Sequence, residues 1–228
     1  MSDNSTSDDS TDTEYVRQPA VYVLARELNA ANETYQGDED MSPRFLLLPS
    51  GGAANRITLS GVLQNVVDKG TDSSYYQAEI VGPTGTFWVY AGQYQPECRN
   101  HIAELQDETP VRVSVTGKPS TFGDDGDMNI SITPEAIGTI PPVEQFRWAH
   151  DAAVATISRV HRARSDNESV DSPVGADAVP DDALIDDPEQ RLLASKAAVT
   201  ALEAVDKQVD ADAAGAADEA ADAEQSEA

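Results

Sequence analysis

Ten residues, Gly82-Pro-Thr-Gly-Thr-Phe-Trp-Val-Tyr-Ala91, constrain this chain most. Pro and Gly at the head make a tight reversal, and a strongly β-prone run follows. Strand side chains alternate between faces. Phe87, Val89 and Ala91 therefore share one side, and Thr86, Trp88 and Tyr90 share the other. The first set is suited to a core. The second puts two large aromatics on a face that needs its own partner.

The rest of the chain supplies companions for that strand. Arg17–Ala31 has apolar residues at helical spacing, with Pro19 in its first turn, and predicts a helix. Thr34–Ser42 reads as an acidic loop, and Phe45–Leu48 as a short apolar strand. Ile57–Asp68 predicts a longer strand, with Ile57, Leu59 and Leu63 on one face and Thr58, Ser60 and Val62 on the other. Gly61 in its middle predicts a bend or bulge. Tyr75–Val81 and Thr86–Ala91 form a hairpin. A helix follows over residues 95–107, started by Pro96 and stopped at Thr109-Pro110, with Cys98, Ile102 and Leu105 as its apolar positions. Val111–Gly117 and Met128–Thr133 are two further alternating strands, joined by a loop over Lys118–Gly126.

Three strands, one helix and two strands is the order of an OB-fold, a five-stranded Greek-key barrel. Its ligand face centres on the second and third strands. The loops beside that face are here Lys69–Ser74 and Lys118–Gly126. The expected class is mainly β: one OB-fold with flanking helices and a C-terminal helix, between disordered acidic tails. The expected boundaries are a disordered 1–14, a helix and barrel over 15–140, a helix over 141–164, and an acidic tail over 165–228 holding a weaker helix at 187–208.

Charge supports this division. Residues 1–40 carry 10 acidic and 2 basic side chains, 41–164 carry 13 and 10, and 165–228 carry 18 and 3. The net charge is −26, concentrated in the ends. Segments rich in Asp, Ala and Ser with few apolar anchors cannot offset chain entropy by burial. Only 4 of the 15 cations are lysines. This acidity fits either tails that repel or mimic nucleic acid, or a protein adapted to concentrated salt. The one cysteine, Cys98, excludes an intramolecular disulfide and argues against a Cys-based zinc site. No apolar run approaches the ~20 residues of a membrane span, and no secretory signal is visible. The expectation is a soluble, cytoplasmic protein.

Several stretches are similar to one family. They are Leu47-Leu-Pro-Ser-Gly-Gly-x-x-Asn-Arg56, Gly61-Val-Leu63, Pro83-Thr-Gly-Thr-Phe-x-Val-Tyr-Ala-Gly-Gln-Tyr-Gln-Pro96, Val115-Thr-Gly-Lys118 and Arg147-Trp148. Over residues of about 15–164 the chain resembles the small OB-fold proteins associated with replication protein A in archaea, especially halophilic ones. The resemblance implies single-stranded DNA binding beside a replication protein A partner, in replication and repair. In such barrels alternate residues after the turn glycine of the third strand face DNA, which here are Thr86, Trp88 and Tyr90. A turn Asp common in those proteins is replaced by Gly82-Pro83-Thr84.

Barrel geometry then nominates a site. Trp88 and Tyr90 are stacking platforms, or else pack under the long helix or at a subunit interface. Phe122 is a second platform or a loop anchor. Tyr76 and Tyr94 are further candidates that could instead pack. Arg56, Arg112 and Lys118 are the cations expected along the groove, with Arg44 and Lys69 behind them; each could equally be an ordinary surface ion pair. The near-neutral middle lacks the basic footprint of most nucleic-acid binders. In molar salt that objection weakens, because screening shortens the reach of charge.

The Val143–Val160 stripe, with Phe146, Ala153 and Ile157, is expected to pack on the barrel or to dock a partner helix. An alternative function follows: an assembly factor that docks a replication protein A subunit without touching DNA. No constellation of nucleophile, base or metal ligands appears. His101, His150 and His161 are scattered, and Asp124-Asp-Gly-Asp127 reads as a solvated turn rather than a calcium loop. A non-enzymatic protein is expected, with no cofactor, no metal and no small-molecule substrate.

Overall fold

A computed structural model describes residues 18–38, 42–123, 128–163, 179–180 and 183–226, with side chains followed to residue 208. In chain order the elements are β1 (Val21–Tyr22), α1 (Ala25–Ala30), β2 (Glu33–Gln36), β3 (Arg44–Leu48) and β4 (Gly52–Ala54). They continue with β5 (Ile57–Asp68), β6 (Tyr76–Gly82), β7 (Gly85–Ala91), α2 (Pro96–Leu105), β8 (Val111–Phe122) and β9 (Asn129–Thr139). Two long helices follow, α3 (Pro142–Ala163) and α4 (Pro188–Ser226).

The barrel closes as expected. Its strands run β5-β6-β7-β9-β8, and β8 returns to pair with β5. β7 and β9 are parallel, with Val89 beside Ile132, and the other barrel pairings are antiparallel. The one helix between the third and fourth strands, α2, places Cys98, Ile102 and Leu105 into the barrel core. This is the OB strand order, and the fold is a mainly β OB-type barrel with flanking helices. Ile57, Leu59, Leu63, Ile80, Phe87, Val89, Val113 and Ile132 fill its interior. Burial of the Cys98 thiol raises its pKa above the ordinary cysteine value.

Gly61 allows close approach. A Cβ there would stand 2.6 Å from the carbonyl oxygen of Val81. The register shift of this strand lies a little further on, between Leu63 and Asn65. The barrel's second hairpin is longer than alternation alone predicted. β8 runs through the expected loop to Phe122, and β9 extends to Thr139. Gly117 against Pro134 makes this length workable, because the ladder shifts register there and a Cβ on Gly117 would meet the Thr133 carbonyl oxygen at 2.3 Å.

Several expectations at the N-terminal side need correction. The helix predicted over 17–31 is helical only from Ala25 to Ala30. Val21 and Tyr22 instead form a parallel strand on Ile57 and Thr58 of β5, with the Val21 N–H donating to the Arg56 carbonyl at 2.9 Å. Within the 34–42 loop, residues up to Gln36 belong to β2, which pairs with β3. β3 requires partners because both its faces are buried. Leu46 and Leu48 enter the barrel core, while Phe45 and Leu47 pack with Val179 and Ile185. Val179 lies within the acidic tail expected to be disordered, ahead of its predicted helix. It is buried, since the exposed side of an apolar strand favours any apolar cover. The predicted disorder at 1–14 and the Asp124–Asp127 turn lie outside the described residues.

The 141–164 helix is present as α3 and packs on its own barrel. It lies against β1, β5 and β8, and α4 packs across it. The second contact is made of small residues: Ala152 and Ala153 of α3 meet Ala197, Ala198 and Ala201 of α4 beside Leu24. Small side chains let helix axes approach closely. The weak helix expected over 187–208 is α4, which starts at Pro188 and continues to Ser226. The alanines rather than Leu192 and Val199 carry its burial.

A buried polar network seats α3. Arg159 Nη2 donates to the two Glu27 carboxylate oxygens at 2.8 and 3.1 Å and to Thr156 Oγ1 at 3.0 Å. Its Nη1 donates to the Tyr22 carbonyl at 3.1 Å and its Nε to Ser50 Oγ at 2.7 Å. Thr156 Oγ1 donates to Glu27 at 3.0 Å. Gly51 and Gly52 leave room for this end of the helix. A Cβ on Gly52 would lie 2.6 Å from Arg159 Cδ, and one on Gly51, whose φ is +89°, 2.5 Å from the Ala163 Cβ. The Pro49-Ser-Gly-Gly52 turn is thus shaped to receive α3.

Candidate nucleic-acid interface

The two faces of β7 separate as alternation demands. Phe87, Val89 and Ala91 are buried, and Thr86, Trp88 and Tyr90 stand half-buried on the outer face. On β6 the inward residues are Ala78 and Ile80, so Gln77 and Glu79 lie outward opposite Tyr90 and Trp88. On the other side of β7, Ser131 and Thr133 of β9 flank the buried Ile132. Ser120 of β8 continues the same face, its hydroxyl 3.0 Å from that of Thr133. Helix α3 lies over another part of the barrel, the outer side of β5, where Thr58 and Ser60 are buried. Helix α1 meets the start of β7, with Asn29 Nδ2 donating to the Thr86 carbonyl at 2.9 Å.

Three of the nominated aromatics meet here. Trp88, Tyr90 and Phe122 line one groove of about 190 Å³, floored by Gln77, Ile130 and Ser131. Phe122 is 56% exposed at the end of β8. A second depression, about 350 Å³, lies between the 69–75 loop and residues 92–95. Tyr94, 84% exposed, lines it together with Lys69. Tyr75 joins the two. Its ring stacks on Tyr90 with centroids 5.7 Å apart and planes at 28°, and it is 43% exposed. The Gln77 side-chain amide donates to the Tyr90 hydroxyl and steadies that ring. The result is one track from Phe122 and Trp88 through Tyr90 and Tyr75 to Tyr94.

Tyr75, which the sequence reading did not nominate, is the tyrosine on the outer face, and of the two alternatives left open for Tyr76 the structure shows packing. Tyr76 packs against the barrel core, because it shares parity with Ala78 and Ile80. A strand's one-residue offset exchanges its faces. Two consecutive tyrosines give no compositional signal for which one points out, although the parity of Ala78 and Ile80 could have found it.

The cations divide. Lys118 is exposed on β8 opposite Thr133, at the edge of the outer face. Arg56 is not on the track. The register that sets Ile57 on Gly117, and Gly117 on Pro134, draws Arg56 to Glu135 at 2.5 Å, and both are largely buried. Arg112 faces Val62 across the β8–β5 seam, on the side of the ring away from β7. Arg44 lines a separate depression with Pro119 and Ser120.

The loop beside the second depression is held by one carboxylate. Asp68 Oδ1 accepts from the N–H of Tyr75 at 3.0 Å and of Gly70 at 2.9 Å. The Tyr75 bond first, then that of Gly70, holds the Asp68 carboxyl below the usual carboxylate range.

The stripe assigned to partner binding is split. Ala153 and Val160 are buried within this chain, so they are not available to a partner. Phe146 is half-buried, while Val143 (65% exposed) and Ile157 (41%) face outward. The reason is that α3 buries Thr156 and Arg159, which a count of apolar residues scores as solvent-facing. Trp148 lies edge-on to Tyr22 with centroids 5.3 Å apart and does not line the groove.

Among the described residues no group of three or more His, Cys, Asp or Glu side chains is placed to hold a metal ion. Among them too, no helix is long and apolar enough to cross a membrane.

No family model and no curated protein matches this chain. Among solved structures it is similar to an OBody bound to hen egg-white lysozyme, at 16% identity and a TM-score of 0.30, over 38% of this chain and 94% of that one. It is similar to the N-terminal domain of PriB protein from Thermoanaerobacter tencongensis, at 13% and 0.27, over 38% and 97%. It is also similar to a small single-stranded DNA binding protein from Mycoplasma pneumoniae, at 16% and 0.29, over 39% and 94%. Likenesses at these scores carry no functional inference, and the barrel assignment rests on strand order and closure.

Proposed function

We propose that this chain binds single-stranded DNA along the Phe122–Trp88–Tyr90–Tyr75–Tyr94 track, and that it acts as a non-enzymatic subunit beside a replication protein A partner in replication and repair. The observation that carries the reading is the gathering of these aromatics on the outer barrel face, over β6, β7 and β8 and the adjoining loops. A base stacked on an aromatic side chain contributes about 1–3 kcal/mol and needs no particular sequence. Lys69 lines the Tyr94 end of the track, and Lys118 is exposed on β8 across from Thr133; these are the cations a backbone phosphate would meet. The exposed side of α3, with Val143 and Ile157, is the surface left for the partner. The halophilic, archaeal setting implied by the family resemblance belongs to the same proposal, as does action in the cytoplasm.

The test uses full-length protein and a fluorescein-labelled pyrimidine oligonucleotide in molar KCl. Trp88→Ala with Tyr90→Ala is expected to weaken binding at least about tenfold, with the far-UV circular dichroism unchanged. Unchanged affinity would remove the stacking assignment. In a Trp148→Phe variant, Trp88 is the sole tryptophan, and its emission should be quenched on binding.

A further inference from the structure

Beside the Trp88 platform stands a carboxylate that stacking does not use. Glu79 stands on β6 across from Trp88, with Asn65 of β5 on its other side. It is half-buried on the outer face, since Ala78 and Ile80 on either side of it point into the core. Among the described residues it makes no hydrogen bond and no ion pair. Gln77, its neighbour on the same face, is occupied by the Tyr90 hydroxyl. Glu79 is therefore the free polar side chain of β6 beside the Trp88 platform.

A carboxylate at this place repels phosphate, so it does not serve the DNA backbone. Where bases lie on the sheet, the phosphates run outside and the carboxylate meets base edges instead. An ionised carboxylate only accepts hydrogen bonds, and it does so with two oxygens. Guanine presents two adjacent donors on its pairing edge, N1–H and the 2-amino group. Cytosine and adenine each set one amino group beside an acceptor nitrogen. Thymine sets one N–H between two carbonyls. Cross-strand neighbours have Cβ atoms about 4.5–5.5 Å apart, so a base stacked on Trp88 brings its edge within reach of a Glu side chain on the next strand.

We infer that Trp88 and Glu79 together form a guanine-selective subsite, in which Trp88 stacks the base and the Glu79 carboxylate accepts from N1–H and the 2-amino group. The inference rests on the stacking reading above and adds base preference to it. It makes Glu79 a specificity-determining residue.

The experiment compares full-length wild type and Glu79→Gln, binding labelled dT9, dT9 with a central guanine, and dT9 with a central inosine, by anisotropy in molar KCl. In wild type the guanine oligonucleotide should bind about tenfold tighter than dT9. Inosine lacks the 2-amino group and should lose most of that gain. Glu79→Gln should bring guanine and thymine to within twofold of one another, with dT9 binding kept or tightened as the repulsion is removed. Equal wild-type affinity for the guanine and thymine oligonucleotides would overturn the inference and leave stacking intact. So would a guanine preference that survives Glu79→Gln. If no oligonucleotide binds and Trp88 stays unquenched, the stacking reading fails and this inference with it.

Discussion

At the scale of single residues, parity decides most of the candidate site. Trp88 and Tyr90 face outward because Phe87, Val89 and Ala91 face in, and that alternation was legible in ten residues. Tyr75 and Tyr76 were not separable by composition; the parity of Ala78 and Ile80 puts Tyr76 on the core side, where it pairs with Ala91. Asp68 was invisible as a site residue, since its role is to hold the two N–H groups of a loop. Its carboxyl titrates below the usual range in the folded protein. A depressed folded pKa means that its contribution is present above about pH 4 and is lost as pH falls through the folded value. The 69–75 loop is therefore expected to keep its order at neutral pH and loosen below the usual carboxylate range. Asp68→Ala should do the same at pH 7. Amide exchange at Tyr75 should accelerate by about tenfold in that variant as its protected N–H opens more often, and unchanged exchange would refute the clamp.

At the scale of elements, the barrel strands were readable because each buries one face at period two, whereas α3 was readable only as a helix. Its buried side includes Thr156 and Arg159, and no hydropathy pattern selects a guanidinium for the interior. The ion pair with Glu27 reaches across 132 residues of chain, and Ser50 and the Tyr22 carbonyl complete its hydrogen bonds. Removing one partner of a buried pair leaves the other charge unpaired, at a cost of about 3–5 kcal/mol. Arg159→Ala is thus expected to lower stability by that amount in urea unfolding. A loss under about 1 kcal/mol would mean that the alanine contacts with α4, and not this network, seat the helix. The motif Pro49-Ser-Gly-Gly52 takes its meaning from the same contact, since its two glycines admit Arg159 and Ala163.

At the scale of the whole molecule, charge sets the working conditions. A chain of net charge −26 approaching a polyanion is repelled in dilute salt. In molar salt the Debye length falls to about 3 Å, and stacking and local contacts remain. Few cations line the track, so few counterions are released on binding. The affinity is expected to fall with salt much less steeply than for a basic groove making 6–10 phosphate contacts, whose loss is about 10³–10⁵-fold between 50 and 200 mM. A titration from 0.2 to 2 M KCl checks this, and a steep decline would indicate phosphate contacts absent from the track described above.

The identity and order of the five barrel strands and the outward pair Trp88 and Tyr90 were determined by the sequence alone, because alternation, turn residues and helix breakers act between near neighbours. Tertiary structure decided the rest. It turned α3 and the alanines of α4 onto their own barrel, set Arg56 on Glu135 and, among the described residues, left Glu79 unpaired beside Trp88. Each of these depends on which distant segment arrives at a surface, and burial and ion pairing between segments far apart in the chain leave no periodic trace along it.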